Sequence, residues 1–121
     1  MINFLYVGMG GFIGSGMRYI CSQLPLGREL TFPLATLLIN FTGAFLIAIF
    51  STVATEQKTS SFFKVGLCGG FTTFSTFTLE TFNMIEAGKF GTAFFYSAAS
   101  VILCLAGFCL GKIFTRTFIP A

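Results

Sequence analysis

Read for hydrophobic pattern, the chain is four long apolar stretches parted by short polar links. A helix needs roughly 20 mostly apolar residues to cross the hydrocarbon core of a bilayer. Residues 4–24, 32–54, 62–85 and 91–111 meet that length with very few charges. Pro33 falls in the first turn of the second stretch, where its missing N–H does no harm. The links at 25–31, 55–61 and 86–90 are too short to hold a soluble domain, and no clear internal repeat is visible. The pattern predicts an all-α membrane protein with a single transmembrane domain over residues 1–121. No Lys or Arg precedes the first apolar stretch and no small-x-small cleavage site follows it, so it reads as a retained span.

Composition agrees with lipid as the solvent. Charged residues make up 9% of the chain, against about a quarter in a soluble domain, and the mean hydropathy is +0.88. There are 18 Phe and no Trp or His. The net charge of +3 is too small for a nucleic-acid surface, and no basic face exists to carry one. Cys21, Cys68, Cys104 and Cys109 all lie inside apolar runs, with no Cys-x-x-Cys pair and no His to complete a metal site. They read as small packing residues.

Charge placement bears on orientation. An even number of spans puts both termini on one side of the membrane. That side carries Lys58, Lys64, Lys112 and Arg116; the other carries Arg28 and Lys89, plus Arg18 if it reaches the interface. So small a bias gives the positive-inside rule little to act on. Either another cue orients the chain, or it inserts both ways up, as an antiparallel pair equivalent to an inverted repeat.

Polar groups inside spans are costly and usually mark function. In the first span, Gly10 and Gly14 form a small-x-x-x-small face that lets another helix approach closely. Arg18 is either an interfacial anchor or the positive mouth of an anion path. In the second, Thr36, Asn40 and Gly43 share one face. Asn40 either bonds a neighbouring helix or offers its NH₂ to an anion. The third span is the odd one. Gly69-Gly70 weakens the helix, and Thr72, Thr73, Ser75, Thr76 and Thr78 follow at once. Together they predict a helix broken in mid-membrane, tolerated only where it is buried or lines a watery cavity. Phe74 and Phe77 share a face beyond the break, and Glu80 is the one acid inside a span. In the fourth span Tyr96, Ser100 and Cys104 recur every four residues, as helix glue or as a pore lining.

The run Gly69-Gly70-Phe71-Thr72-Thr73-Phe74-Ser75-Thr76-Phe77 with Glu80 after it resembles the signature of the Fluc (CrcB-like) fluoride channels. Gly10-Gly11-x-x-Gly14-x-x-x-Arg18-Tyr19 and Asn40-x-x-Gly43 fit the same family, and the similarity spans the whole chain. The resemblance implies a dual-topology, antiparallel homodimer with two pores. It implies a multi-pass protein of the inner (plasma) membrane that lets fluoride leave the cytoplasm passively. By the same resemblance Phe74 and Phe77 face the pores, Asn40 is the pore amide, and Arg18 sits near an entrance. Ser75 and Thr76 join Tyr96 and Ser100 in a polar track, and the backbone carbonyls of Gly69 and Thr72 hold a structural sodium ion at the dimer axis. Where the family stripe carries a hydroxyl, this chain has Cys104, whose thiol is a weaker donor.

The chemistry is consistent with that resemblance. Fluoride is small and holds water tightly, so a dry path must offer replacement donors. The positive edge of a phenyl ring, hydroxyls and one amide are weak ligands, and conduction needs ligands weak enough to release the ion. No enzyme constellation competes. A small multidrug-type exporter would need an acid in its first span, and there is none. An accessory membrane subunit would need neither a mid-membrane Asn nor a hydroxyl-rich broken helix.

Overall fold

The computed structural model describes residues 1–27 and 32–119; Arg28, weighed above for topology, lies outside them. The described residues are helical, with no strand among them. Helix α1 is Ile2–Ser22 and α2 is Leu34–Val53. A short α3, Gln57–Ser60, runs on into a π-helical segment, Ser61–Cys68, and then into α4, Gly69–Phe71. After Thr72 and Thr73 come α5, Phe74–Glu86, and α6, Phe90–Phe118.

Two of these helices are long and apolar enough to cross a membrane: α2, with a mean hydropathy of 2.0, and α6, with 2.1. Only 28% and 22% of their apolar windows are buried within the chain. The core helix of a soluble protein would hide most of that surface. Here it points outward, and other helices do the same: Phe12, Phe74 and Phe94 are 83%, 79% and 78% exposed. Apolar surface on this scale needs lipid or protein against it, and the chain is a membrane protein. Helix α6 continues past residue 111, the expected end of the fourth stretch. Thr115 Oγ1 bonds back to the Gly111 carbonyl at 2.7 Å. Phe114 packs edge-on against Phe45 with ring centroids 5.9 Å apart. At 1.5 Å per residue this helix is longer than a ~30 Å hydrocarbon core, and Arg116 in its last turn sits at the favourable end of the helix dipole.

The helices pair through glycine. Helix α1 packs on the π-helical segment and α4, and α2 packs on α6. In the first pair Gly10 meets Gly66 and Gly11 meets Gly70, while Gly14 lies against the backbone of Leu67 and Phe71. A Cβ at Gly66 would lie 2.6 Å from the Val7 carbonyl oxygen, and one at Gly70 would lie 2.8 Å from that of Gly11. Cβ atoms at Gly10 and Gly14 would collide with the Phe62 and Leu67 carbonyls. The predicted small face on α1 therefore meets its match within the same chain. The second pair repeats the device, because a Cβ at Gly111 would lie 2.5 Å from the Phe45 carbonyl oxygen. In lipid there is no hydrophobic drive between helices, and close backbone contact of this kind is what holds them.

The helical path stops at Thr72 and Thr73, both extended at φ −81°, ψ 157° and φ −147°, ψ 120°. Side chains take over the backbone groups freed there. The Thr73 N–H donates to Asn40 Oδ1 at 2.9 Å, and Asn40 Nδ2 donates to the Thr73 carbonyl at 3.1 Å. Thr73 Oγ1 then caps α5 by accepting from the Thr76 N–H at 3.1 Å. At its other end α5 closes on Gly88, whose φ of +80° is left-handed. The Lys89 N–H returns to the Met84 carbonyl at 2.8 Å, as a Schellman cap requires.

Candidate functional site

Beside the interruption lies a cavity of about 400 Å³. Its walls come from α2, the end of the π-helical segment, the extended threonines, α5 and α6. Among the residues singled out from sequence, Asn40, Phe74, Phe77, Ser100, Gly69 and Thr72 line it.

Asn40 is fixed by two hydrogen bonds to one residue. Because Oδ1 and one Nδ2 hydrogen are spent on the Thr73 backbone, the second Nδ2 hydrogen is the donor left to offer. Gly43, three residues on, makes this possible: a Cβ there would collide with Thr72 Cγ2. The helix thus comes close enough for the amide to reach the freed backbone.

The two rings form a continuous aromatic wall. Phe74 and Phe77 have centroids 5.5 Å apart with planes at 49°, and Phe77 lies 5.2 Å from Tyr96 at 43°. Phe77 is half-buried by this contact, whereas Phe74 stands largely outside the chain. Ser100 is 6% exposed, and its Oγ has no hydrogen-bond partner among the described residues. A buried hydroxyl without a partner is costly, and this one lines the cavity.

Gly69 and Thr72 were expected to present carbonyls. In a continuous helix these would accept from the N–H groups of Thr73 and Thr76. Here the Thr73 N–H goes to Asn40 and the Thr76 N–H goes to Thr73 Oγ1. Both oxygens have their usual donors diverted, and hard oxygens on an unwound helix suit a sodium ion.

Four expected residues stand apart from the cavity wall. The Arg18 Nε–H donates to the Gly70 carbonyl at 3.0 Å, so its guanidinium secures the strand of backbone just before the break. Ser75 Oγ and Thr76 Oγ1 lie 3.3 Å and 3.1 Å from Thr73 Oγ1, forming a hydroxyl cluster on the first turn of α5. Tyr96 is fully buried, and its hydroxyl donates to Glu80 Oε1 at 3.1 Å. Thr36 Oγ1 donates to the other carboxylate oxygen at 3.1 Å. Glu80 therefore takes two hydroxyls rather than a cation, and ties α5 to α2 and α6 in one contact. The four-residue stripe on α6 divides: Tyr96 turns to Glu80, while Ser100 and Cys104 line the cavity.

Thr73 is the residue that sequence reasoning underused. It was counted only among the hydroxyls, yet its backbone brackets Asn40 and its side chain caps α5. The available signal was a Thr standing immediately before a helical run, a common N-cap position.

Residues 5–112 match the family described as CrcB-like protein, Camphor Resistance (CrcB). The chain is 42% identical to the fluoride-specific ion channel FluC of Ruminiclostridium cellulolyticum, over 97% of this chain and 95% of that one. It is 38% identical to the fluoride-specific ion channel FluC of Methylobacterium radiotolerans, over 90% of this chain and 81% of that one. With that of Nitrobacter winogradskyi it shares 41% identity, over 88% of this chain and 90% of the relative. A match that covers the interrupted helix, Asn40 and the α6 stripe together makes the chain a member of the CrcB-like family.

Proposed function

We propose that this chain is a fluoride-selective ion channel, working passively as an antiparallel homodimer to export fluoride from the cytoplasm. The observation that carries the reading is that Asn40, with one amide hydrogen left to offer, the unpartnered Ser100 hydroxyl and the Phe74 and Phe77 rings all line a single cavity. Relatives that bear the name fluoride-specific ion channel support it.

Each group has a stated task. The positive ring edges of Phe74 and Phe77 attract an anion without holding it fast. The free Asn40 N–H and the Ser100 O–H replace lost water. None is a cation, so the ion is never trapped by a full charge, and conduction keeps its exit. Arg18 and the hydroxyls of Ser75, Thr76 and Tyr96 flank this path and supply the polar approach. In this reading α1, α2, the interrupted run 57–86 and α6 are the four spans of a multi-pass inner (plasma) membrane protein. The extended threonines then lie at mid-membrane, buried between two subunits.

The assembly belongs to the same proposal. A second copy, inverted, covers the exposed rings. The Gly69 and Thr72 carbonyls of the two copies would hold a structural sodium ion, whose positive charge would offset the repulsion between those oxygens. The diverted donors at Thr73 and Thr76 support this fit. Fluoride efflux from liposomes holding the purified chain tests the function; efflux no faster than from empty liposomes overturns it. A cysteine placed at Thr59, in the second link, tests the assembly. It should be labelled from both faces of intact cells, and a high-resolution map of the dimer should hold one ion between the carbonyls. Labelling from a single face, or no ion there, counts against the pair.

A further inference from the structure

A second hollow, of about 580 Å³, lies on the outside of the chain along the first half of α1. Its walls are Phe4, Leu5, Met9, Phe12 and Ile13 of α1 with Phe62 of the π-helical segment, all of them apolar. The five α1 side chains are exposed. Gly8 lines the same hollow, and a Cβ there would meet nothing within 4 Å. Glycine weakens a helix relative to alanine, and no helix contact in the chain requires this one, unlike Gly10 and Gly14. What its missing side chain provides is depth in the hollow. From Phe4 to Ile13 the helix rises about 14 Å, close to half of a ~30 Å hydrocarbon core.

One end of the hollow carries charge. Helix α1 and the segment after Phe62 run in the same direction, since Gly10 lies by Phe62 and Leu67, and Gly14 by Leu67 and Phe71. Helix α3 precedes Phe62 and packs on α1, so it stands at the Phe4 end. There Lys58 is exposed, one turn before Phe62 and on the same face. The nearby acid, Glu56, accepts from Thr59 Oγ1 at 3.4 Å. We propose that this hollow binds an anionic phospholipid, with one acyl chain lying along α1 over Gly8 and the phosphate meeting Lys58. An apolar trough as deep as one leaflet, with a cation at one end, has the length and polarity of a lipid. A helix of a second copy would run the full thickness of the membrane and gain nothing from the cation. The depth assigned to the hollow rests on α1 being a span, as in the four-span reading above.

The test uses the full chain in phosphatidylcholine liposomes doped with phosphatidylglycerol that carries a diazirine on one acyl chain. After irradiation, peptide mass mapping should find adducts on residues 4–13 and Phe62, about fivefold more than with the matching phosphatidylcholine probe. Lys58→Gln should remove that preference. Gly8→Leu fills the hollow without displacing any group of the chain, so it should keep its size-exclusion profile while its phosphatidylglycerol adducts fall to the phosphatidylcholine level. If Gly8→Leu does not assemble, Lys58→Gln decides alone. Equal labelling by the two probes would make this an ordinary lipid-facing surface and overturn the proposal, as would a preference that survives Lys58→Gln. Adducts on α6 with none on residues 4–13, the pattern a second copy seated there would give, overturn it too. Fluoride efflux from the same liposomes is read separately: its absence sinks the channel reading, and the adduct map still decides the lipid site.

Discussion

Replacing Phe77 or Phe74 by isoleucine should bring fluoride efflux down to the empty-liposome background while the purified protein keeps its size-exclusion profile. Two effects compete, and their sizes separate them. As packing residues, the rings would lose little. Phe77 is half-buried against Tyr96 at 5.2 Å, and an aliphatic of similar bulk costs ~1 kcal/mol of fit. Phe74 is 79% exposed and would lose less still within one subunit. As anion ligands they would lose everything, because isoleucine keeps volume but has no positive ring edge. Methionine should be tolerated better than isoleucine, since its polarizable side chain carries partly positive hydrogens beside the sulfur. Efflux from liposomes holding each variant, beside its chromatographic profile, is the measurement. Wild-type efflux in both isoleucine variants would make these rings ordinary packing residues and remove the main chemical argument for an anion path.

The sequence was informative where one residue type can serve only a few purposes. Gly10 and Gly14 announced a close helix contact, and they have one. The facing pair Gly66 and Gly70 was not read the same way, because Gly70 had already been assigned to the break. Gly111 hid inside a run that looked merely apolar. Asn40 was legible as a mid-span amide, yet its dependence on Thr73 was not. That bond joins residues 33 apart, and spacing along a chain says nothing about which helix lies alongside. Glu80 shows the same limit: its type gave the cost of burying it, and only the fold supplied Thr36 and Tyr96. The α6 stripe was a correct statement of one helical face. Which hydroxyl turns toward a neighbour and which toward a cavity depends on how α5 packs there, and helical spacing carries no such information.

Asn40→Asp should abolish efflux while the purified protein keeps its size-exclusion profile, and the geometry sets out why. An aspartate keeps the acceptor that meets the Thr73 N–H, now at 2.9 Å. It loses the Nδ2 donor to the Thr73 carbonyl, a bond of 3.1 Å, and sets two acceptors face to face. An unmade bond of that kind costs about 1–3 kcal/mol, which weakens the bracket at the interruption. The larger effect falls on the ion. Two unit negative charges ~4 Å apart repel by about 4 kcal/mol at an effective dielectric constant of ~20. Since about 1.4 kcal/mol is a factor of ten, occupancy of the path by an anion should fall roughly a thousandfold. Loss of transport should therefore outrun loss of assembly. Asn40→Ala separates the causes, because it removes the donor without adding charge. Its efflux should be reduced, and should exceed that of the aspartate variant. Unchanged efflux in Asn40→Asp, with a normal size-exclusion profile, would leave Asn40 a brace for Thr73 and nothing more.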